Sequence, residues 1–367
     1  MSTKTLTLII PGLLDMVPHL DKVPDRELPE LASFSLLLSR GKFHYFKKSA
    51  YYSFLFDYFS VNPQNHEFPA AAAADYFYHF HSLKEYAQSC RENRWVMRAD
   101  PCFLAPDRDQ LVLLESDNIE LSYAEALQLI DDINTFFQSF SEENFWRIEL
   151  SKDESAPLAW FLTSSQPINL SSTPTSMLKG QAIKDFLPTG EDQASWLKLF
   201  NEIQMVLHQS EVNVQRRQQG KLPVNSVWFW GAGQYFNPAG LALAQKFSSV
   251  YSNDPVVKGL AEYAHLNNYD IPHSPDKLFM VKSTENAVVV MDHLAASVRN
   301  ADVYGWIDLL KQFEKEWLEV LLKSMREGQL EQLIILTPAG MELKITRRSL
   351  KHWWKRIKSY THFKKIN

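Results

Sequence analysis

Four short stretches carry residues placed where chemistry could occur: Pro11-Gly12-Leu13-Leu14-Asp15, Gly231-Ala232-Gly233, Asp292-His293 and Thr337-Pro338-Ala339. Each follows a run that reads as a β-strand, and in open α/β sheets ligands sit outside the carboxyl ends of the strands. Asp292 and His293 offer metal ligands or an acid–base pair. Neighbours on an extended segment point to opposite faces, so only one of them enters a shared site; a turn or cap is the plainer reading. Gly231 and Gly233 allow close backbone approach and can aim N–H groups at an anion. No third glycine completes a dinucleotide fingerprint and there is no P-loop, so a tight turn is again the plainer reading.

Further candidates lie nearby in the sequence. In VNVQRRQQG, Asn213 and Arg216 stand where a long helix breaks, and arginine suits bidentate phosphate or carboxylate recognition. A solvated helix end explains them equally well. In RADP, Arg98 and Asp100 meet a ligand or pair with each other. Asn225, Trp228 and Trp230 belong to VNSVWFWGAG, which reads as a buried strand or as the wall of a crevice. There is no HExxH, no GxSxG and no Cys/His cluster. No serine is marked as a nucleophile; Ser35, Ser39 and Ser49 remain equal.

The elements that must hold these residues alternate. TLTLII, VNSVWFWG, KFSSVYS, AVVVMD and LEQLIILTP read as strands, and LPELASFSLLLSRGK, FPAAAAADYFYHFHSLKEYAQSC, DPVVKGLAEYAHL and YGWIDLLKQFEKEWLEVLLKSMREG as helices. This predicts an α/β fold with a mostly parallel, helix-covered sheet. Between them, WVMRADPCFLAPDRDQLVLLE predicts two strands about an Asp-Arg-Asp turn. SYAEALQLIDDINTFFQSF predicts a helix capped by Ser122 and Glu125. FWRIELS and LAWFLT predict two more strands. That block implies a small α+β domain over 95–165, inserted into a core of 1–94 and 166–367.

Composition narrows the class. The chain has 367 residues, 45% hydrophobic and 13% aromatic, with a formal net charge of -5. That is enough for a full core. Cys90 and Cys102 are the only cysteines, which makes no disulfide framework and fits a reducing compartment. No apolar run is long enough to span a bilayer and no signal peptide is evident, so a cytoplasmic protein is expected. The end of the chain is strongly basic, with Arg347, Arg348, Lys351, Lys355, Arg356, Lys358, Lys364 and Lys365. Nucleic acid or anionic lipid could meet it; the plainer expectation is a solvated helix that packs Leu350, Trp353, Trp354 and Ile357 inward.

RADPCFLAPDRDQLVLL, WLKLFNEIQMVLHQSEVNVQRRQQGKLPVNSVWFWGAG and SLKHWWKRI, in this order from about residue 95 to 358, resemble the bacterial RpfE-type regulatory proteins, a family labelled phosphoglycerate mutase-like. More distantly, Ser210-Glu211-Val212-Asn213 to Arg216 and Asn225 to Gly233 resemble segments of the archaeal-type cofactor-independent phosphoglycerate mutases of the alkaline-phosphatase-like superfamily. The resemblance implies an α/β core with an inserted α+β domain, and two divalent ions, manganese or zinc, that activate a serine. It also exposes departures. Pro11 and Gly12 stand where a metal-binding Asp ends the first strand, and Thr337-Pro338-Ala339 stands where Asp-His is usual. Arg299-Asn300-Ala301-Asp302 follows where a downstream His is usual.

The expectation is therefore a mutase-like protein without metal-dependent catalysis, acting as a regulatory or ligand-binding protein. Its partner would be a small phosphorylated or carboxylated molecule. Ligand contacts are expected from Arg98, Asp100, Asn213, Arg216, Asn225, Trp228, Trp230, Gly231 and Gly233. No metal or other cofactor is expected; Asp15, Asp292 and His293 are the residual metal candidates if manganese or zinc is used. The alternatives are an active phosphoglycerate mutase or phosphatase with rearranged ligands, and a nucleic-acid-binding regulator acting through the basic tail.

Overall fold

The computed structural model describes residues 3–60, 71–80, 94–107, 110–115, 119–140, 146–151, 158–178, 182–234, 247–280, 286–352 and 354–363. The chain divides into two compact units, residues 1–61 with 241–367, and residues 62–240. The inserted unit is thus wider than the 95–165 block expected from the sequence. It gains the alanine-rich helix before that block and the Trp-rich strand after it.

Apolar and β-branched runs build the first unit. β1 (Thr3–Ile9), α1 (Ala32–Arg40), β2 (Lys42–Tyr45) and α2 (Tyr51–Tyr58) open it. In the second unit come α3 (Ala71–Phe80), β3 (Trp95–Asp107), β4 (Gln110–Glu115), α4 (Tyr123–Phe140), β5 (Arg147–Leu150), β6 (Trp160–Ser164), α5 (Gln193–Gln209), α6 (Glu211–Gln218) and β7 (Ser226–Gln234). The first unit resumes with β8 (Ser249–Ser252), α7 (Pro255–Tyr263), β9 (Asn267–Tyr269), α8 (Asp276–Met280), β10 (Asn286–Val290) and α9 (His293–Arg299). It ends with α10 (Val303–Phe313), α11 (Glu319–Glu327), β11 (Leu330–Thr337), β12 (Met341–Thr346), α12 (Arg347–Leu350) and α13 (Tyr360–Phe363).

The sheet of the first unit has the order β2-β12-β11-β1-β10-β8-β9. β11, β1, β10, β8 and β9 run parallel, while β12 and β2 add antiparallel at one edge. This is the α/β class with a mostly parallel, helix-covered sheet that the sequence predicts. Leu6, Leu8, Val289, Leu333 and Ile335 of the strands pack with Trp306, Leu310, Phe313 and Leu321 of the helices. The long helix predicted for YGWIDLLKQFEKEWLEVLLKSMREG is α10 and α11 joined by one π turn, Glu314–Leu318. The Glu314 carboxylate accepts from the Ser33 and Phe34 N–H groups at 2.6 and 3.0 Å, closing the start of α1.

The second unit is built on β3, which pairs antiparallel with β4, β6 and β7. Its core joins Leu129 and Ile133 of α4, Leu199 and Ile203 of α5, and Trp160, Leu162, Val227 and Phe229 of the strands. The expected cap of α4 is present: Ser122 Oγ accepts from Glu125 N at 3.3 Å, and the Glu125 carboxylate accepts from Ser122 N at 2.9 Å. Ala71 to Ala74 are buried in α3. A Cβ on Gly231 would meet the Ala72 nitrogen at 3.1 Å, so small residues on both sides set this close approach. The rest of the predicted alanine-rich helix, with Cys90, lies outside the described residues.

Two expectations are corrected. The Trp strand β7 is not part of the parallel sheet. It lies antiparallel to β3, and Gly231 and Gly233 sit inside it at an irregularity of the ladder rather than in a turn beyond its end. A positive φ of 70° at Gly231 makes the irregularity affordable only to glycine. The basic tail does not form an inward-packed helix. Helix α12 stops at Leu350, and Trp354 and Ile357 are 64% and 52% exposed; Trp353, Lys364 and Lys365 lie outside the described residues. Among the described residues no helix is long and apolar enough to cross a membrane.

Candidate functional site

Parallel register brings the carboxyl ends of β1, β10, β8 and β11 to one edge of the first unit. At that edge Asp15 turns back on its own loop. Its carboxylate accepts from Gly12 N at 2.9 Å and from the Thr337 hydroxyl. The Gly12 carbonyl accepts from Trp306 Nε1 at 2.8 Å. Gly12 has φ +90°, and a Cβ there would lie 2.8 Å from the Leu294 backbone. The loop is therefore pressed onto the start of α9, and an internal carboxylate occupies its anion-binding donors.

Asp292 and His293 lie exposed at the start of α9. The His293 ring lies 5.9 Å from that of Phe313. Partial desolvation of the ring beside Phe313 lowers the His293 pKa, with the Asp292 charge opposing, although the residue as a whole is exposed. Sequence reasoning missed two groups here. Asp254 follows β8 and caps α7, accepting from Val256 N at 2.9 Å. Tyr51, opening α2, donates to Asp254 at 3.4 Å. Burial, then the Asp254 charge, then the Asp292 charge push the Tyr51 phenol well above its usual pKa. The rule that pointed to Asp292 would also have found Asp254, which follows VYSN.

The serines separate. Ser49 N donates to the Pro338 carbonyl at 3.1 Å, which places Ser49 beside the end of β11. Ser35 and Ser39 instead hold the C-terminal segment, accepting from Tyr360 N and Lys358 N, each at 3.0 Å.

A pair of divalent ions at this edge would need free carboxylate and imidazole ligands. Asp15 is committed to Gly12 and Thr337, and Asp254 to the cap of α7 and to Tyr51. Among the described residues no three His, Cys, Asp or Glu side chains gather as ligands. Hard divalent cations need six or more oxygens, or a tight set of three or four side chains. Asp15 and Asp254, held by these partners, are not disposed as such a set.

In the second unit the other candidates form a buried polar cluster. Arg98 and Asp100 are two apart on β3 and share a face. Arg98 donates to Asp100 Oδ1 from Nε at 3.0 Å and from Nη2 at 2.6 Å, and to Asp75 Oδ2 from Nη1 at 2.8 Å. Asp100 Oδ2 also accepts from Trp230 Nε1 and from the Thr175 hydroxyl, each at 2.6 Å. His79 Nε2 lies 3.3 Å from Asp75 Oδ1, one helical turn away on α3. The guanidinium stacks 5.0 Å from the centre of Phe161. Burial acts to raise the Asp75 pKa, and Arg98 with His79 more than reverses it, leaving the carboxyl below its usual range. Asp75, His79 and Thr175 were not singled out from the sequence; Asp75 and His79, four apart on a helix, carried the readable signal.

The remaining expected contacts have internal partners. Asn213 donates to the Leu207 and Val224 carbonyls, each at 2.7 Å, and accepts from Val224 N at 2.9 Å. Arg216, 1% exposed, donates to the Leu222 carbonyl at 2.8 Å, to Glu125 at 2.7 Å and to the Ile119 carbonyl. Asn225 pairs with both backbone groups of Leu104 at 2.7 and 3.0 Å. Trp228 Nε1 donates to the Thr173 carbonyl at 2.8 Å. Gly233 stands opposite Val96 in the ladder. The structure therefore gives Asn213, Arg216 and Asn225 roles in holding strand ends and helix ends.

No family model matches the chain. A 2,3-bisphosphoglycerate-independent phosphoglycerate mutase of Methanosarcina mazei is 33% identical over 102 residues, 27% of this chain and 25% of that protein. A probable enzyme of the same description from Geobacter sulfurreducens is 27% identical over 172 residues, 45% of this chain and 40% of that protein. The chain thus matches a quarter to two fifths of the length of these curated relatives. A solved structure of a Pyrococcus horikoshii protein superposes with TM-score 0.54 at 13% identity, covering 94% of this chain and 88% of that one. The chain is similar in sequence to phosphoglycerate mutases, and its fold is shared with a solved α/β protein across nearly its whole length.

Proposed function

We propose that this is a mutase-like protein of the alkaline-phosphatase-like kind that acts by binding rather than by metal-dependent phosphoryl transfer. One observation carries the reading: the Asp15 carboxylate fills the Gly12 and Thr337 donors at the end of β1. Phosphoryl transfer relies on cations that neutralise developing charge. At this edge Asp15 instead holds a backbone N–H and a hydroxyl, and Asp254 a helix cap and a tyrosine. The resemblance to RpfE-type regulatory proteins supports a regulatory role, in bacteria and in the cytoplasm. A small phosphorylated or carboxylated molecule is the ligand class. It has two routes in, and each requires an anion to displace an internal carboxylate: Asp15 from Gly12 and Thr337, or Asp75 and Asp100 from Arg98.

Manganese titration of the chelator-treated full chain tests this by calorimetry. The reading predicts no stoichiometric uptake. It also predicts that Asp15→Ala strengthens orthophosphate binding while costing about 1–3 kcal/mol of stability, the penalty for leaving buried donors unpaired. Stoichiometric manganese uptake would contradict it. That result would favour an active enzyme with rearranged ligands, for which the approach of Asp254 and Asp292 to Tyr51, with His293 adjoining, is the supporting observation.

A further inference from the structure

The segment between α12 and α13 is basic and is hydrogen-bonded to α1. From Leu343 to Asn367 the sequence has nine Lys and Arg and no Asp or Glu. Both ends of residues 352–360 are tied to α1. Arg40 Nη1 donates to the His352 carbonyl, Ser39 Oγ bridges the N–H and carbonyl of Lys358, and Ser35 Oγ accepts from Tyr360 N at 3.0 Å. Tyr360 is buried, with its ring 6.1 Å from that of Phe34.

Between those ties everything described except His352 faces outward. Lys355, Arg356 and Lys358 are exposed, and so is Lys351 just before. Trp354 and Ile357 stand among them at 64% and 52% exposure. Arg347, which precedes the strap, meets Glu331 at 3.6 Å.

We infer that this strap, with Trp354 and Ile357 set among Lys351, Lys355, Arg356 and Lys358, docks on an anionic lipid surface. The chemistry selects that occupant. Basic side chains gain from a negative headgroup layer, and the gain decays within a Debye length. A tryptophan settles at the headgroup level, and a neighbouring isoleucine adds apolar area below it. A single-stranded nucleic acid would use the cations and stack on Trp354, but it offers nothing for an exposed isoleucine. The strap needs no spanning helix, and its hydrogen bonds to α1 at His352, Lys358 and Tyr360 hold it at the surface.

Co-sedimentation of the full chain with vesicles tests the inference. Vesicles of phosphatidylcholine with 30–40%, roughly the excess needed for a strongly negative surface, phosphatidylglycerol are compared with pure phosphatidylcholine. The expected result is binding only to the anionic vesicles, weakened by salt, with quenching of tryptophan fluorescence by brominated acyl chains. Trp354→Ala with Ile357→Ser removes the quenching, and Lys355→Glu with Arg356→Glu lowers the partition coefficient by about tenfold or more. These side chains are exposed, and near-ultraviolet circular dichroism checks that each variant folds. Absence of anionic-vesicle binding overturns the inference, as does binding that both variants retain. Binding of a thymidine oligonucleotide without vesicle binding also overturns it and makes the strap a nucleic-acid surface.

Discussion

Asp75 shows what the buried cluster of the second unit is for. An unpaired ionised carboxylate is costly in an interior, and Asp75 stays ionised because Arg98 and His79 face it. Its folded pKa lies below that of the unfolded chain. The stabilisation is therefore present above about pH 4 and is lost as pH falls through the folded value. Urea denaturation followed by tryptophan fluorescence between neutral and acid pH checks this. The native protein should lose stability through that window, and Asp75→Asn should have a flatter acid limb; parallel limbs would contradict the assignment. At this scale the sequence was partly legible. RADP announced that Arg98 and Asp100 could pair, and they do. The third member, Asp75, comes from a helix whose position relative to β3 only the fold supplies. Asn213 and Arg216 were legible as unusual residues but not as internal ones, because a side chain's partners depend on which backbone carbonyls the chain brings near.

Elements carry the next part of the account. VNSVWFWGAG reads as a strand in either sheet, since a buried central strand of either kind is a continuous apolar run. Its pairing with β3 was set by the Arg98–Trp230 and Asp100–Trp228 register, which periodicity cannot reveal. The tail failed for a different reason. Its apolar residues have helical spacing, but the chain is tied to α1 by Ser35, Ser39 and Arg40, and Trp354 and Ile357 are left exposed. The β1 loop was read correctly as a loop, and its tightness is testable. Gly12→Ala combines a left-handed backbone with a Cβ 2.8 Å from Leu294, so it should destabilise by about 1–3 kcal/mol. Chemical denaturation measures this; a change of a few tenths would show that β1 and α9 part easily.

At the scale of the whole molecule, alternating strands and helices made the α/β class legible, and the strand order had to come from the structure. The second unit is wider than the expected block because β7 pairs with β3 and α3 packs against β7. Similarity to phosphoglycerate mutases and the engagement of Asp15 by its own loop support the proposal of a mutase-like protein that does not move phosphoryl groups through bound metal. Turnover of 3-phosphoglycerate to 2-phosphoglycerate by the purified full chain, with manganese added back after chelation, tests it most directly. The account predicts no turnover above a heat-inactivated control at any manganese concentration. Manganese-dependent turnover that disappears in Asp292→Ala would contradict it and make the Asp254–Asp292–His293 edge a working metal site.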